Sequence, residues 1–156
     1  MTGIPKGARL LAVVVPAGAI AAALIAQYGF ALAPCEMCWW QRYAHIAALF
    51  VAIVAWLVRD VRLSTPLFWL AVLGIAISGL IGGYHAGVEY QWWRGITTCS
   101  ATRLAGVDAL EAILGAPVVR CDVAAWALFG ISMAGYNFIG SLSAAAVIAG
   151  LARRGQ

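Results

Sequence analysis

Pro34-Cys35-Glu36-Met37-Cys38-Trp39-Trp40-Gln41-Arg42-Tyr43 leads into an apolar run over residues 39–58. The stretch sets a CxxC pair at the mouth of a membrane-length helix, with an arginine one turn beyond the second cysteine. In such a pair one thiolate is held close to a second thiol, and the two cycle between dithiol and disulfide. With the helix starting near Glu36, Cys38 falls in its first turn. Free backbone N–H groups and the positive end of the helix dipole favour a thiolate there. Arg42 follows at i+4 on the same face and adds a fixed positive charge. Glu36, between the two cysteines, opposes it.

Other uses of a CxxC pair fit less well. Half of a zinc site would need a second such pair, and Cys99 and Cys121 do not form one, so no metal is expected. Haem attachment needs histidine after the second cysteine, and Trp39 stands there. Lipoprotein cleavage at Leu32-Ala33-Pro34-Cys35 is opposed by Pro34 and by the three apolar segments that follow.

The chain has 156 residues, of which 64% are hydrophobic and 10% charged. Soluble domains carry roughly 25% charged residues, so this composition marks an integral membrane protein. A single domain over residues 1–156 is expected, with no linker. The net charge of +4 is no sign of nucleic acid, because the basic residues flank apolar runs instead of forming one patch.

Four runs are long enough to span a bilayer: residues 10–28, 39–58, 67–84 and 123–151. The first resembles a signal peptide, with Ala31-Leu32-Ala33 as a cleavage site, but Pro34 follows directly and it is read as a retained span. Arg59-Asp60-Val61-Arg62-Leu63-Ser64-Thr65-Pro66 reads as a polar turn. The third run carries Gly79-x-x-x-Gly83, a helix-packing pattern. The fourth exceeds the ~20 residues a span needs, so it is tilted or projects beyond the bilayer.

Four spans put both termini on one side. Lys6, Arg9, Arg59, Arg62, Arg153 and Arg154 lie there, against Arg42, Arg94, Arg103 and Arg120 opposite. That excess places the termini in the cytoplasm. All four cysteines then face the oxidising compartment, where disulfides persist, which in a bacterial cell is the periplasm.

Residues 86–122 form the one long loop. It follows His85 and begins with an aromatic belt around Tyr90, Trp92 and Trp93. Leu104, Val107, Leu110 and Leu114 recur at helical spacing, with Asp108 and Glu111 off that line. This reads as a short amphipathic helix on the membrane surface, ended by Gly115 and Pro117. Cys99 and Cys121 flank it and could be bridged, if only as a staple. The fold class is therefore all-α, a four-helix membrane bundle with a long periplasmic loop carrying a surface helix.

Three motifs together resemble the DsbB family of bacterial inner-membrane disulfide bond formation proteins. They are Pro34-Cys35-Glu36-Met37-Cys38-Trp39-Trp40-Gln41-Arg42, then Tyr84-His85-Ala86-Gly87-Val88-Glu89 leading to Cys99, then Arg120-Cys121-Asp122 leading through Trp126 to Phe129–Asn137. The resemblance covers nearly the whole chain. It implies a quinone-dependent thiol oxidoreductase that reoxidises a periplasmic DsbA-like partner of thioredoxin fold. It also implies Cys35, Cys38, Cys99 and Cys121 as the redox centres. By the same resemblance the partner would meet a Cys99–Cys121 bond, Cys121 would pass the exchange to Cys35, and Cys38 would deliver two electrons to ubiquinone or menaquinone.

A lipid-soluble quinone belongs where Cys38 and Arg42 lie. Arg42 is expected to hydrogen-bond its oxygen. Trp39, Trp40 and Tyr43 are candidates for the ring's walls, with an ordinary aromatic belt as the alternative, and His85 for reaching the ring, with packing or capping as the alternative. His45 reads as structural, Asn137 as a bond to a neighbouring helix, and Glu89 matches the motif without a mechanism. A transporter would want an ionisable group within the bundle, and His45 alone qualifies. A disulfide-stapled scaffold is the remaining alternative.

Overall fold

The computed structural model describes residues 3–97 and 119–155. Among these, four helices are long and apolar enough to cross a membrane: α1 (Lys6–Gly29), α2 (Glu36–Leu57), α3 (Val61–Glu89) and α4 (Met133–Arg154). The all-α four-helix bundle expected from the apolar runs is present. Cys99 and the surface helix expected over residues 104–114 lie outside the described residues.

The helix ends differ from the apolar runs because caps set them. Cys35 is the N-cap of α2, its Sγ accepting from Cys38 N–H at 3.4 Å, so the helix starts at Glu36. Asp60 caps α3 by accepting from Arg62 N–H at 2.9 Å. The stretch expected to be a turn before residue 67 is thus already helical, and Pro66 lies in its second turn. At the other end Gln91 adopts φ 62°, and Trp92 N–H closes on the Gly87 carbonyl at 2.8 Å. These are the marks of a left-handed helix stop.

The largest correction concerns the fourth run. Helix begins at Met133, ten residues after the apolar run does. Residues 127–132 form a small hairpin, β1 (Ala127–Leu128) paired antiparallel with β2 (Ile131–Ser132). Its turn places Phe129 at φ 50° and Gly130 at φ 77°, conformations a right-handed helix cannot include. Ser132 then caps α4, accepting from Gly135 N–H at 3.1 Å. The surplus apolar length is hairpin, and a strongly tilted span is not needed.

α3 packs against α2 on one side and α4 on the other, and α1 closes the ring against α2 and α4. The core is built from small residues, including Ala8, Ala12, Ala48, Ala52, Ala71, Ala145 and Ala152, with Phe68, Ile75 and Ile148 filling between them. Large side chains such as Ile25, Phe50, Leu57, Leu70 and Leu80 point outward. That is the arrangement of a bundle solvated by lipid, where close packing of backbones holds helices together.

Gly82 lies directly against the α4 backbone. A Cβ there would stand 2.9 Å from the Ala134 carbonyl oxygen and 3.0 Å from Asn137 Nδ2. Alanine normally favours a helix over glycine by about 1 kcal/mol, but here it meets backbone that cannot yield. Gly82→Ala should lower the thermal midpoint in detergent, with an overpacking cost of roughly 1–3 kcal/mol. Gly150→Ala, where a Cβ meets nothing within 4 Å, should leave the midpoint unchanged or raise it.

Candidate functional site

The site is assembled at the end of the bundle where α2 begins and α3 stops. Cys35 is buried at the cap position and Cys38 sits half-buried in the first turn. Cys35 Sγ–H donates to Cys38 Sγ across 3.1 Å. Both are free thiols. The bond to Cys38, reinforced by burial, keeps the proton on Cys35 well above the usual thiol range. Cys121 is disulfide-bonded and fully buried. It packs with Cys35, Met37 and Val88 in one small cluster, edged by Tyr84 and Val119.

Cys121 Sγ, Cys35 Sγ and a ring nitrogen of His85 all lie within 4.8 Å of one another. Three such groups offer ligand atoms to a metal ion. The ligand form of cysteine is the thiolate, however, and Cys121 is committed to a disulfide. In this state the trio is an arrangement for thiol–disulfide exchange.

His85 is fixed from behind. Gln41 Nε2 donates to His85 Nδ1 at 3.0 Å and to the Met37 carbonyl at 3.2 Å. The proton of His85 therefore sits on Nε2, which faces Cys35 Sγ at 3.5 Å and Glu89 Oε1 at 3.6 Å. Gln41 Oε1 in turn accepts from Asn137 Nδ2 on α4 at 2.8 Å. Asn137 Nδ2 also donates to the Ser78 carbonyl at 3.0 Å, and Asn137 Oδ1 accepts from Ser141 at 2.7 Å and His45 Nε2 at 3.0 Å. A hydrogen-bonded chain thus runs from the cysteine pair into the middle of the bundle.

Beside this chain a cavity of about 760 Å³ opens between α1, α2 and α4. Cys38, Gln41, Arg42, His45, His85, Glu89 and Asn137 supply its polar wall, and residues such as Gly18, Ala22, Ala23 and Ala144 supply an apolar one. Arg42 is pinned to α1, with Nη1 donating to Gln27 Oε1 and Nη2 to the Ala23 carbonyl at 3.1 Å. Its guanidinium also stands over the Trp39 ring, 5.1 Å from the centroid.

Of the residues singled out from the sequence, Cys38, Arg42 and His85 meet at this cavity, with Cys35 and Cys121 directly behind. Trp39 and Tyr43 do not line it. Their rings meet at 5.7 Å, tilted by 30°, on the outer side of α2, exposed by 39% and 59%. Trp39 reaches the site only through Arg42. Gln41, Gln27 and Glu89 were given no role in the sequence. Gln41 was visible, one turn after Cys38 and next to Arg42. Gln27 carries no local signal, because its partner is fifteen residues away on another helix.

Cys35 keeps its proton as pH rises through the ordinary thiol range, so its reactive thiolate fraction stays low there. Brief alkylation of the reduced protein at mildly alkaline pH should therefore modify Cys38 first. Labelling of Cys35 should emerge only at higher pH, as read by peptide mass spectrometry. Equal rates at both cysteines near neutral pH would show that Cys35 is not held in this way.

The model of the family described as "Disulfide bond formation protein DsbB" matches residues 5–151. An uncharacterized protein of Rickettsia prowazekii (strain Madrid E) is 25% identical over 139 residues, covering 86% of this chain and 80% of that protein. No solved structure matches the chain. With the family model spanning nearly all of a four-helix membrane bundle that gathers three cysteines at one end, the chain belongs to the DsbB family of disulfide bond formation proteins.

Proposed function

We propose that the protein reoxidises a DsbA-like periplasmic dithiol carrier and passes the two electrons to a membrane quinone, ubiquinone or menaquinone. The observation that carries this reading is the burial of Cys121 against Cys35, within 4.8 Å, beside a cavity that reaches Cys38. Family membership makes the chain an oxidoreductase of disulfide formation; the relay and its acceptor are the finer reading. The charge asymmetry of the loops supports cytoplasmic termini and periplasmic cysteines in the bacterial inner membrane.

In this reading the loop bond joins Cys99 to Cys121. A partner thiolate attacks Cys99, forming a mixed disulfide and releasing Cys121 as a thiolate. Cys121 attacks Cys35 of an oxidised helix-mouth pair and releases Cys38. The partner's second thiol displaces Cys99 and leaves as a disulfide. Cys99 then displaces Cys35 from Cys121. The loop bond is restored, and Cys35 and Cys38 hold the two electrons and a dithiol. His85 Nε2–H faces Cys35 Sγ and steadies its charged form during exchange.

The cavity fits a quinone. Its walls are mostly apolar, it reaches Cys38, and Arg42, His85 and Asn137 set a few polar groups along one side. A bound quinone supplies an acceptor of two electrons and two protons. Cys38 presents the thiolate to that space, and Cys35 closes on Cys38 to regenerate the disulfide. Arg42, held by Gln27 and the Ala23 carbonyl, keeps a positive charge at the wall without needing to reorganise.

Two variants test the relay. Offered a partner whose second cysteine is replaced and whose first is activated as a mixed disulfide with a small aromatic thiol, Cys121→Ala should trap it on Cys99 on a non-reducing gel, releasing the small thiol, whereas Cys38→Ser should permit exchange with an oxidised loop but no repeated turnover. A partner adduct in Cys99→Ala and none in Cys121→Ala would reverse the two loop roles. Trapping only when Cys35 is altered would make the helix mouth the first point of attack.

Arg42→Ala should lower quinone reduction tenfold to a hundredfold, from a charge-assisted bond worth about 1.5–3 kcal/mol. The first exchange with the partner should proceed as before. Steady-state kinetics at varied quinone concentration check this, and unchanged turnover with unchanged quinone affinity would remove Arg42 from the site.

A further inference from the structure

The relay requires a fully buried sulfur to leave as an anion. Cys121 packs with Met37 and Val88 and is edged by Val119. Apolar neighbours raise the cost of a thiolate in such a place. Exchange is faster the better the leaving thiolate is stabilised. A hydrogen-bond donor at Cys121 Sγ therefore bears directly on how readily the loop bond opens.

Thr97 supplies such a donor. It is buried, and its hydroxyl donates to Cys121 Sγ at 3.4 Å. Other groups around Cys121 are engaged elsewhere. His85 Nε2–H stands 3.5 Å from Cys35 Sγ. Cys35 is in a disulfide when exchange begins, and then has no S–H to offer. Arg120 and Asp122, on either side of Cys121, are paired with each other at 2.7 Å.

The chain leading to Thr97 is folded back on the end of α3. Trp93 Nε1–H donates to the Tyr84 carbonyl at 2.9 Å, and the two rings stack at 5.8 Å. The Tyr84 hydroxyl donates to the Arg94 carbonyl at 3.1 Å. Gly87 makes room for this fold, because a Cβ there would overlap the Trp93 ring. Three residues after Arg94, Thr97 meets Cys121. The same helix end thus carries His85 towards Cys35 and anchors the segment that brings Thr97 to Cys121.

We propose that Thr97 is a catalytic residue of the first exchange, its hydroxyl stabilising Cys121 as the leaving thiolate. The inference rests on the relay above and adds a group that acts on its opening step. A partner thiolate forms a bond to Cys99 Sγ, the Cys99–Cys121 bond breaks, and the electron pair of that bond leaves on Cys121 Sγ. The Thr97 proton stays on its oxygen throughout. A disulfide sulfur is a weak acceptor, whereas a thiolate makes a charge-assisted bond. The hydroxyl therefore favours the transition state over the ground state. Once Cys121 attacks Cys35, the charge passes to Cys38 and the hydroxyl again faces a disulfide sulfur.

The test isolates loop opening from the rest of the relay. In a Cys35→Ala, Cys38→Ala background the loop bond is the one disulfide left. Tris(2-carboxyethyl)phosphine attacks one sulfur and expels the other as a thiolate. Water then frees the first sulfur as the phosphine oxide forms, so the opening does not reverse. Samples are stopped with acid and excess N-ethylmaleimide, and the freed thiols are counted by intact mass. Thr97 against Thr97→Val, and Thr97→Ser against Thr97→Ala, are two pairs that differ by one hydroxyl. In each pair the hydroxyl-bearing protein should open about three- to tenfold faster. A ratio near one in either pair overturns the proposal. Should Thr97→Val fail to fold, the Ser and Ala variants decide it alone. Trapping of the partner at a cysteine other than Cys99 would bring down the relay, and this inference with it. Equal opening rates with Cys99 as the trapped cysteine would remove Thr97 alone.

Discussion

Asn137 donates to Gln41 and Ser78 and accepts from His45 and Ser141, and so ties three of the four helices together at one level of the bundle. No water in the bilayer core competes for these groups, and each would be costly to leave bare. Interhelical hydrogen bonds of this kind are worth about 0.6–2 kcal/mol apiece. Their larger effect is on register. α2 and α4 stand on a diagonal of the ring, and the Asn137 bonds cross the gap between them. A slip of either helix by one residue would rotate all the partners away at once.

Register at that level sets the chemistry above it. Gln41 is held from below by Asn137 and holds His85 above, and His85 faces Cys35. The two cysteines of the CxxC pair are thereby made unequal. Cys35 is buried, keeps its proton and has Cys121 at its back, whereas Cys38 is turned to the cavity. One cysteine is placed for exchange with the loop and the other for delivery to an acceptor. The gap that needs bridging by Asn137 is also the cavity, because α1 covers it largely with glycine and alanine, among them Gly18, Ala19, Ala22, Ala23 and Ala26.

The small-residue core serves the same end. Ala134 and Gly82 let α4 approach α3 closely enough for Asn137 to reach Ser78. Tyr90, at the end of α3, donates to the Gly130 carbonyl at 2.8 Å and accepts from Ser132 N–H at 2.9 Å. The hairpin is fastened to α3 in this way, and with it the start of α4. A scaffold reading explains none of these placements, since a staple does not need a loop cysteine buried against a reactive pair. A transporter would want its ionisable groups to face a through path. Here His85 and Glu89 gather at one end, and His45 is bound to Asn137.

Much of this was present in the sequence, because it depends on residues close together in the chain. Long apolar runs identify spans whatever packs around them. The i+4 relation put Cys38 and Arg42 on one face, and the structure keeps them there. The cap at Cys35 is equally local. What the sequence left open depends on contacts between distant residues. Apolar composition did not show that residues 127–132 turn back as a hairpin, because lipid-facing helix and interfacial strand use the same side chains. Period alone could not place Trp39 and Tyr43 outside the cavity, since that needs the rotation of α2 against α1. Nor could it bring Cys121 to Cys35, or give Gln41, Asn137 and His45 their partners. The sequence determined which segments enter the membrane and which residues can do the chemistry. The packing of the helices decided which of them meet, because hydrogen bonds between spans depend on relative rotation and height, which no single helix encodes.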